Sequence, residues 1–240
     1  MSDRGLYQGL YMSRKAEDGV SAYPDQKFAP SELFVGLALT ALAGWVDAIG
    51  FLRLGGLYPS FMSGNTTQLG IALGTHDWTA VGLPALLIAL FVAGAFAGAL
   101  IGGLATRWCL VWCFTLEALL LVAAFLLSLA QSQPVLAIAP LPLAMGLQNV
   151  TALQFARRGV GVTYVTGSLV ALGEGLADAV RGNTTRWPRP CLTWLAMGVG
   201  AIGGATAHVI AASAALAVPA ACSVMAAVLA AATTARVTER

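Results

Sequence analysis

A single carboxylate, Asp47, interrupts a long apolar stretch, and a run of hydroxyls and amides follows it: Ser63-Gly64-Asn65-Thr66, then Gln68. About one hundred residues later the pattern returns, with Asn149 in an apolar run, then Thr166-Gly167-Ser168 and Glu174. In apolar surroundings an acid suits proton or cation binding, because such a group is costly there and faces the protein interior. Glycine lets the backbone turn and lets another chain come close. A helix starting at Ser63 or Thr166 would present free N–H groups and the positive end of its dipole to an anionic group. The candidate substrate-binding set is therefore Asp47, Ser63, Gly64, Asn65, Thr66, Gln68, Asn149, Thr166, Gly167, Ser168 and Glu174. A plainer role stands beside each: an interhelical hydrogen bond for Asp47, and mutual satisfaction at a helix break for the others.

Other polar groups are weaker candidates. Gln148, Thr151 and Gln154 accompany Asn149, and Tyr164 suits either a cavity wall or a membrane anchor. Asp178 is expected to pair with Arg181 at a solvated helix end, and Glu117 with an arginine such as Arg107 on a neighbouring helix. Cys109, Cys113, Cys191 and Cys222 lie in or beside apolar segments and read as buried thiols used as small apolar residues. No metal-ligand set, Ser/His nucleophile pair or phosphate loop accompanies them, so catalysis, a metal and a cofactor are not expected.

The elements that must hold these groups follow from composition. The chain is 58% hydrophobic and 10% charged, with a mean hydropathy of +0.78, whereas a soluble domain carries about a quarter charged residues. Its apolar stretches reach the ~20 residues a helix needs to cross a bilayer. An all-α integral membrane protein is implied, and the net charge of +2 gives no reason to expect nucleic acid. Residues 1–30 lack the order of a signal peptide and read as a disordered cytoplasmic tail. A membrane domain over 31–234 and a short cytoplasmic tail over 235–240 follow.

Eight apolar segments fall near 32–53, 57–75, 82–106, 109–130, 135–156, 162–180, 191–213 and 215–234. Ser31 is a plausible cap for the first, and Pro134 and Pro190 open the fifth and seventh. The second and sixth are too polar for straight lipid-facing helices and suit broken or re-entrant ones shielded by protein. Lys and Arg favour the cytoplasmic side. If all eight segments crossed, Arg53, Arg107, Arg157 and Arg158 would lie outside. If the second and sixth return to the side they entered, only Arg53 of the thirteen basic residues does. Six crossings are therefore expected, with both termini cytoplasmic.

The polar motifs belong to a longer repeat. Gly44 matches Gly146, Asp47 matches Asn149, Phe61-Met-Ser-Gly64 matches Tyr164-Val-Thr-Gly167, and Gly102-Gly103 matches Gly203-Gly204. Three crossings per half is an odd number, so repeat two (135–234) must sit inverted relative to repeat one (32–130). Glycines at four-residue spacing, Gly94, Gly98 and Gly102 with Gly200 and Gly204, suit close helix packing within the bundle or, alternatively, a homodimer.

Gly44-Trp-Val-Asp47-Ala, Ser60-Phe-Met-Ser-Gly64-Asn65-Thr66, Gly146-Leu-Gln-Asn149 and Thr163-Tyr-Val-Thr-Gly167 followed by Leu172-Gly173-Glu174 resemble the YoaK-like family of bacterial membrane proteins, domain of unknown function 1275. The likeness covers about residues 32–234. It implies about six membrane helices and the bacterial inner membrane, and it supplies no reaction. Ser168 stands where the first half has Asn65, so the second half lacks that amide. A small secondary transporter of a small solute, with an anion among the candidates, is the leading expectation. Its partners would be the bilayer, the solute and a coupling proton or cation. A channel-like pore, or a structural or regulatory membrane protein, is the alternative.

Overall fold

The structure is a computed structural model, and it describes residues 30–104, 107–130, 134–156, 165–182, 188–212 and 214–238. Helices occur in the order α1 (Pro30–Arg53), α2 (Met62–Gly74), α3 (Trp78–Gly103), α4 (Cys109–Leu129), α5 (Pro134–Ile138), α6 (Pro140–Ala156), α7 (Val165–Val180), α8 (Pro188–Ala211) and α9 (Ala217–Thr238). The described residues contain no strand. Six stretches are long and apolar enough to cross a membrane: Leu33–Arg53, Trp78–Gly103, Cys109–Leu129, Val135–Ala152, Pro188–Ala211 and Ala217–Arg236. The fourth joins α5 to α6 across Ala139, where Pro140 removes an N–H and bends one crossing into two pieces.

The remaining two helices do not span. α2 has 13 residues and α7 has 16, so at 1.5 Å per residue they reach about 20 and 24 Å, short of a hydrocarbon core of about 30 Å.

Arg53 shows how the crossings are oriented. From the last turn of α1 its guanidinium donates to Ser128 Oγ at 2.6 Å and to the Ala212 carbonyl. Ser128 lies in the last turn of α4, and Ala212 follows α8. The C-terminal ends of α1, α4 and α8 therefore meet, and the three run in one direction. The links after α3, α4 and α8 are too short to recross a membrane, so α3, α5–α6 and α9 run the other way. Since α1 ends and α3 begins at one face, the chain between them enters and returns. Likewise α6 ends and α8 begins at one face, the opposite one. Arg53, the one basic residue expected on the far side, caps helix C-termini, where a cation is favourable.

Glycine sets the closest contacts. α1 packs on α8, α3 on α6, and α4 on α9. Gly200 lies against the Ala41 carbonyl and Gly204 against the Trp45 backbone, while Gly44 faces the Met197 carbonyl. Gly94 likewise lies against the Leu143 carbonyl, Gly98 beside Leu147, and Gly146 against the Phe91 carbonyl. Both registers advance together, as parallel helices require, and a Cβ at these glycines would meet the partner's backbone or its closest side chains. Thus Gly94 and Gly98 stand to α6 as Gly200 and Gly204 stand to α1. The match of Gly102-Gly103 with Gly203-Gly204 expected from sequence is displaced by about one turn: Gly103 has open space beside it, and Gly204 is in contact. Spacing in a glycine-rich helix repeats every turn, so only contact chooses the register.

Two helix starts also differ from expectation. α3 begins at Trp78, four residues before the expected 82, because Asp77 caps it: Oδ1 accepts from Thr79 N at 3.2 Å and Ala80 N at 3.3 Å. Pro84 is tolerated inside the helix, buried near its first turns. Ser31 lies within α1, which begins at Pro30, so it does not precede the helix as a cap.

Candidate functional site

Asp47 sits on α1 between Val46 and Ile49, both fully buried, and is itself 3% exposed. The chain after α1 turns sharply at Gly55 (φ 62°) and Gly56 (φ 106°), backbone conformations that suit glycine. It then runs back along α1. Pro59 fills the notch over Gly50, and the Tyr58 ring lies 5.1 Å from that of Phe51 and 5.3 Å from that of Phe61. This return brings Ser60 onto Asp47. Ser60 N donates to Oδ1 and Ser60 Oγ donates to Oδ2, each at 2.6 Å.

Asn65 is fully buried in the first turns of α2 and closes the other side of the loop. Its Oδ1 accepts from Tyr58 N at 2.9 Å, and its Nδ2 donates to Tyr58 O at 2.6 Å. One side chain thereby satisfies both backbone groups of one loop residue. Asp47 and Asn65 together hold the returning segment at membrane depth, where an unpaired backbone group costs several kcal/mol. Ser60 and Tyr58 were absent from the sequence-derived set. The adjacent Gly55-Gly56 turn and Pro59 were the signals that the chain folds back on α1.

The remaining first-half candidates point elsewhere. Ser63, Thr66 and Gln68 are exposed on α2, and Gly64 is half-buried beside Phe61 and Tyr58. Thr66 Oγ1 donates to Met62 O at 2.8 Å, within its own helix. The start of α2 carries no side-chain cap, so the N–H groups around Ser63 and Gly64 keep their polarity.

In the second half, Thr166-Gly167 lies within α7 (Val165–Val180), as Ser63-Gly64 lies within the first turn of α2. Ser168, the match of Asn65, is likewise fully buried. Thr166 and Glu174 are exposed, Gly167 is half-buried, and Asn149 donates within α6 to Met145 O at 2.9 Å. Tyr164 and the side chain of Gln154 lie outside the described residues. α2 packs on α3 and α7 on α8, and neither re-entrant helix packs extensively on the other. The described residues thus leave the two motifs as separate stations.

Asp178 pairs with Arg181 at 3.4 Å in an exposed setting, as expected. Glu117 does not pair with Arg107. Arg107 is exposed before the start of α4, whereas Glu117 is 1% exposed and accepts from Ser223 Oγ at 3.2 Å. More than two helical turns separate the two residues along the chain, too far for one to reach the other. Of the thiols, Cys113 is buried and Cys222 is exposed, so the latter does not serve as a buried small residue.

The loop clasp, the uncapped α2 start and the six spans frame the comparison with known proteins. The model of a family described as "Protein of unknown function (DUF1275)" matches residues 35–229. The chain belongs to the DUF1275 family. This is the family whose motifs the YoaK-like resemblance identified. The chain is also 39% identical over 176 residues to "UPF0700 transmembrane protein RA0705" from Rhizobium meliloti (strain 1021), covering 71% of this chain and 75% of that protein. No solved structure matches. The six long apolar helices make this a multi-pass membrane protein, and the region matched by the family model takes in Asp47, Asn65, Asn149 and Ser168.

Proposed function

We propose that this protein is a small secondary transporter, a permease for a small solute, built from two inverted halves in the bacterial inner membrane. The observation that carries the reading is the placement of α2 and α7. Each is a short, non-spanning helix that follows the first crossing of its half and starts beside a Ser/Thr-Gly pair. In the first half the crossings α1, α3 and α4 alternate in direction, and in the second α5–α6, α8 and α9 alternate in the opposite sense. The glycine contacts of α1 with α8 recur between α3 and α6. Inverted repeats with interrupted helices are the architecture on which alternating access operates. The uncapped α2 start favours an anionic or strongly polar solute.

Flux into proteoliposomes tests this. Saturable uptake of one solute from a broad panel, under imposed pH gradients of either sign, supports the reading. Absence of uptake across the panel overturns it, and non-saturating conductance would identify a pore.

One observation favours a second reading, a structural or regulatory membrane protein: Asp47 and Asn65 already have partners within the fold. If Asp47→Asn and Gly64→Leu both fold and leave the cell's phenotype intact, the second reading replaces the first.

A further inference from the structure

A polar layer crosses the middle of the bundle, away from α2 and α7. Two apolar clusters bracket it. One contains Leu42, Leu121, Met145 and Ala220, and the other contains Leu39, Phe114 and Ala152 with Ala226 packed against it. Between them α4 contributes Glu117, α6 contributes Gln148 and Thr151, and α9 contributes Ser223, none more than 2% exposed.

The hydrogen bonds of this layer do not close. Glu117 Oε1 accepts from Ser223 Oγ, but Oε2 has no partner. Gln148 Nε2 donates to the Leu39 carbonyl at 3.0 Å, which fixes which end of the amide is nitrogen, and Gln148 Oε1 is left with no partner. Two buried acceptor oxygens are therefore unsatisfied, and no donor among the described residues serves either. The register places them at one level of the bundle. The Thr151 hydroxyl donates to Leu147 O at 3.0 Å and lies beside the Cys113 thiol, so residue 113 of α4 is level with residue 151 of α6. The two helices run in opposite directions, so one turn further along α4 Glu117 comes level with Leu147 and Gln148.

We propose that Glu117 and Gln148 form a proton-binding site, with one proton held between Glu117 Oε2 and Gln148 Oε1 and Ser223 on the other carboxyl oxygen. A single proton turns the unsatisfied Oε2 into a donor and supplies Gln148 Oε1 at the same time. Without it the layer would hold a carboxylate with no cation, and burying such a charge unpaired costs several kcal/mol. On α1, which packs against α6 and α9, the charged groups are Asp47, held by Ser60, and Arg53, held at the helix ends by Ser128 and the Ala212 carbonyl, so neither is a counter-charge for Glu117. On α4 itself the titratable neighbours are Cys109 and Cys113. The described parts of α3, α5 and α6 carry no ionisable side chain, and α9 carries Cys222 and Arg236, both exposed. The sole described ion pair is the distant Asp178–Arg181. Asp47 differs, because Ser60 gives a donor to each of its oxygens. Of the two deeply buried acids among the described residues, Glu117 is the one whose geometry calls for a proton, whether or not the protein transports a solute.

Infrared spectroscopy of the full chain in lipid nanodiscs tests the assignment. At neutral pH the wild-type protein should show a protonated-carboxyl C=O band that Glu117→Gln removes. That variant should fold, since its amide N–H supplies the same donor to Gln148. Ser223→Ala should move the band to higher frequency, because the C=O loses its hydrogen bond, and a merely structural serine would not move it. A Glu117→Gln spectrum identical to wild type in the acid-band region overturns the site. So does failure of that variant to fold, which would mean the layer needs a carboxylate.

Discussion

Ser60 gives both of its donors, the backbone N–H and the hydroxyl, to the two oxygens of Asp47 at 2.6 Å each. A residue that sequence alone marks for proton or solute binding is thus the anchor of a returning loop. Asp47 belongs to α1, yet its effect is on where α2 starts.

Removing the hydroxyl in Ser60→Ala should destabilise the protein by about 1–3 kcal/mol, the range for leaving one partner of a buried hydrogen bond unmade. Asp47→Asn should cost a similar amount, and the double variant little more than either, because both remove one interaction. Thermal unfolding in detergent measures all three. Full additivity would show that the two residues act separately.

Asn65→Leu keeps the volume but strips both partners from Tyr58. A loss of about 2–4 kcal/mol is expected, since two backbone groups are left unpaired. The sharper readout is hydrogen exchange at the Tyr58 amide, which should accelerate while amides in α8 and α9 do not change. Unchanged exchange at Tyr58 would contradict the clasp.

Gly200→Ala places a methyl against the Ala41 carbonyl, which is backbone and cannot rotate away. Overpacking of this kind costs about 1–3 kcal/mol. Gly198, two residues earlier on α8, has open space where a Cβ would go. Gly198→Ala should therefore be neutral or stabilising by up to about 1 kcal/mol through helix propensity. The yield of folded protein after detergent extraction and heating should separate the two, and equal behaviour would refute the α1–α8 register.

Asp77 lies just outside the membrane spans, and the Thr79 hydroxyl and the Ala80 N–H hold its carboxyl below the ordinary value of 3.8. A lowered acid stabilises the fold in its ionised form. Its contribution is complete above the ordinary carboxylate range and disappears as pH falls through the lowered value. Amides at the start of α3 should lose exchange protection only in that acidic window, and Asp77→Ala should show the loss at every pH. Protection independent of pH in the wild-type protein would count against the cap.

Much of this was legible without coordinates. Low charge and apolar stretches of about 20 residues determined a helical membrane protein, because a helix satisfies its own backbone in lipid, and the placement of Lys and Arg reduced eight apolar segments to six spans. The Ser63-Gly64 pair located the start of α2 to within one residue, because glycine beside hydroxyls suits a chain turn more than an apolar span. Three features were beyond local pattern. The Asp77 cap lies before the apolar stretch whose extent placed the start of α3 near 82. The glycine register of α8 needed the opposing Ala41 and Trp45 backbones. The partners of Asp47, Asn65 and Glu117 needed the third dimension most of all, for a polar residue in an apolar segment announces only that it must be satisfied. Sequence states that demand, because burial of an unpaired group is costly wherever it happens. Tertiary structure alone decided that Ser60 answers Asp47 and Tyr58 answers Asn65, and that Glu117 keeps one oxygen unanswered, because those distances arise only when the loop folds back on α1 and separate helices pack.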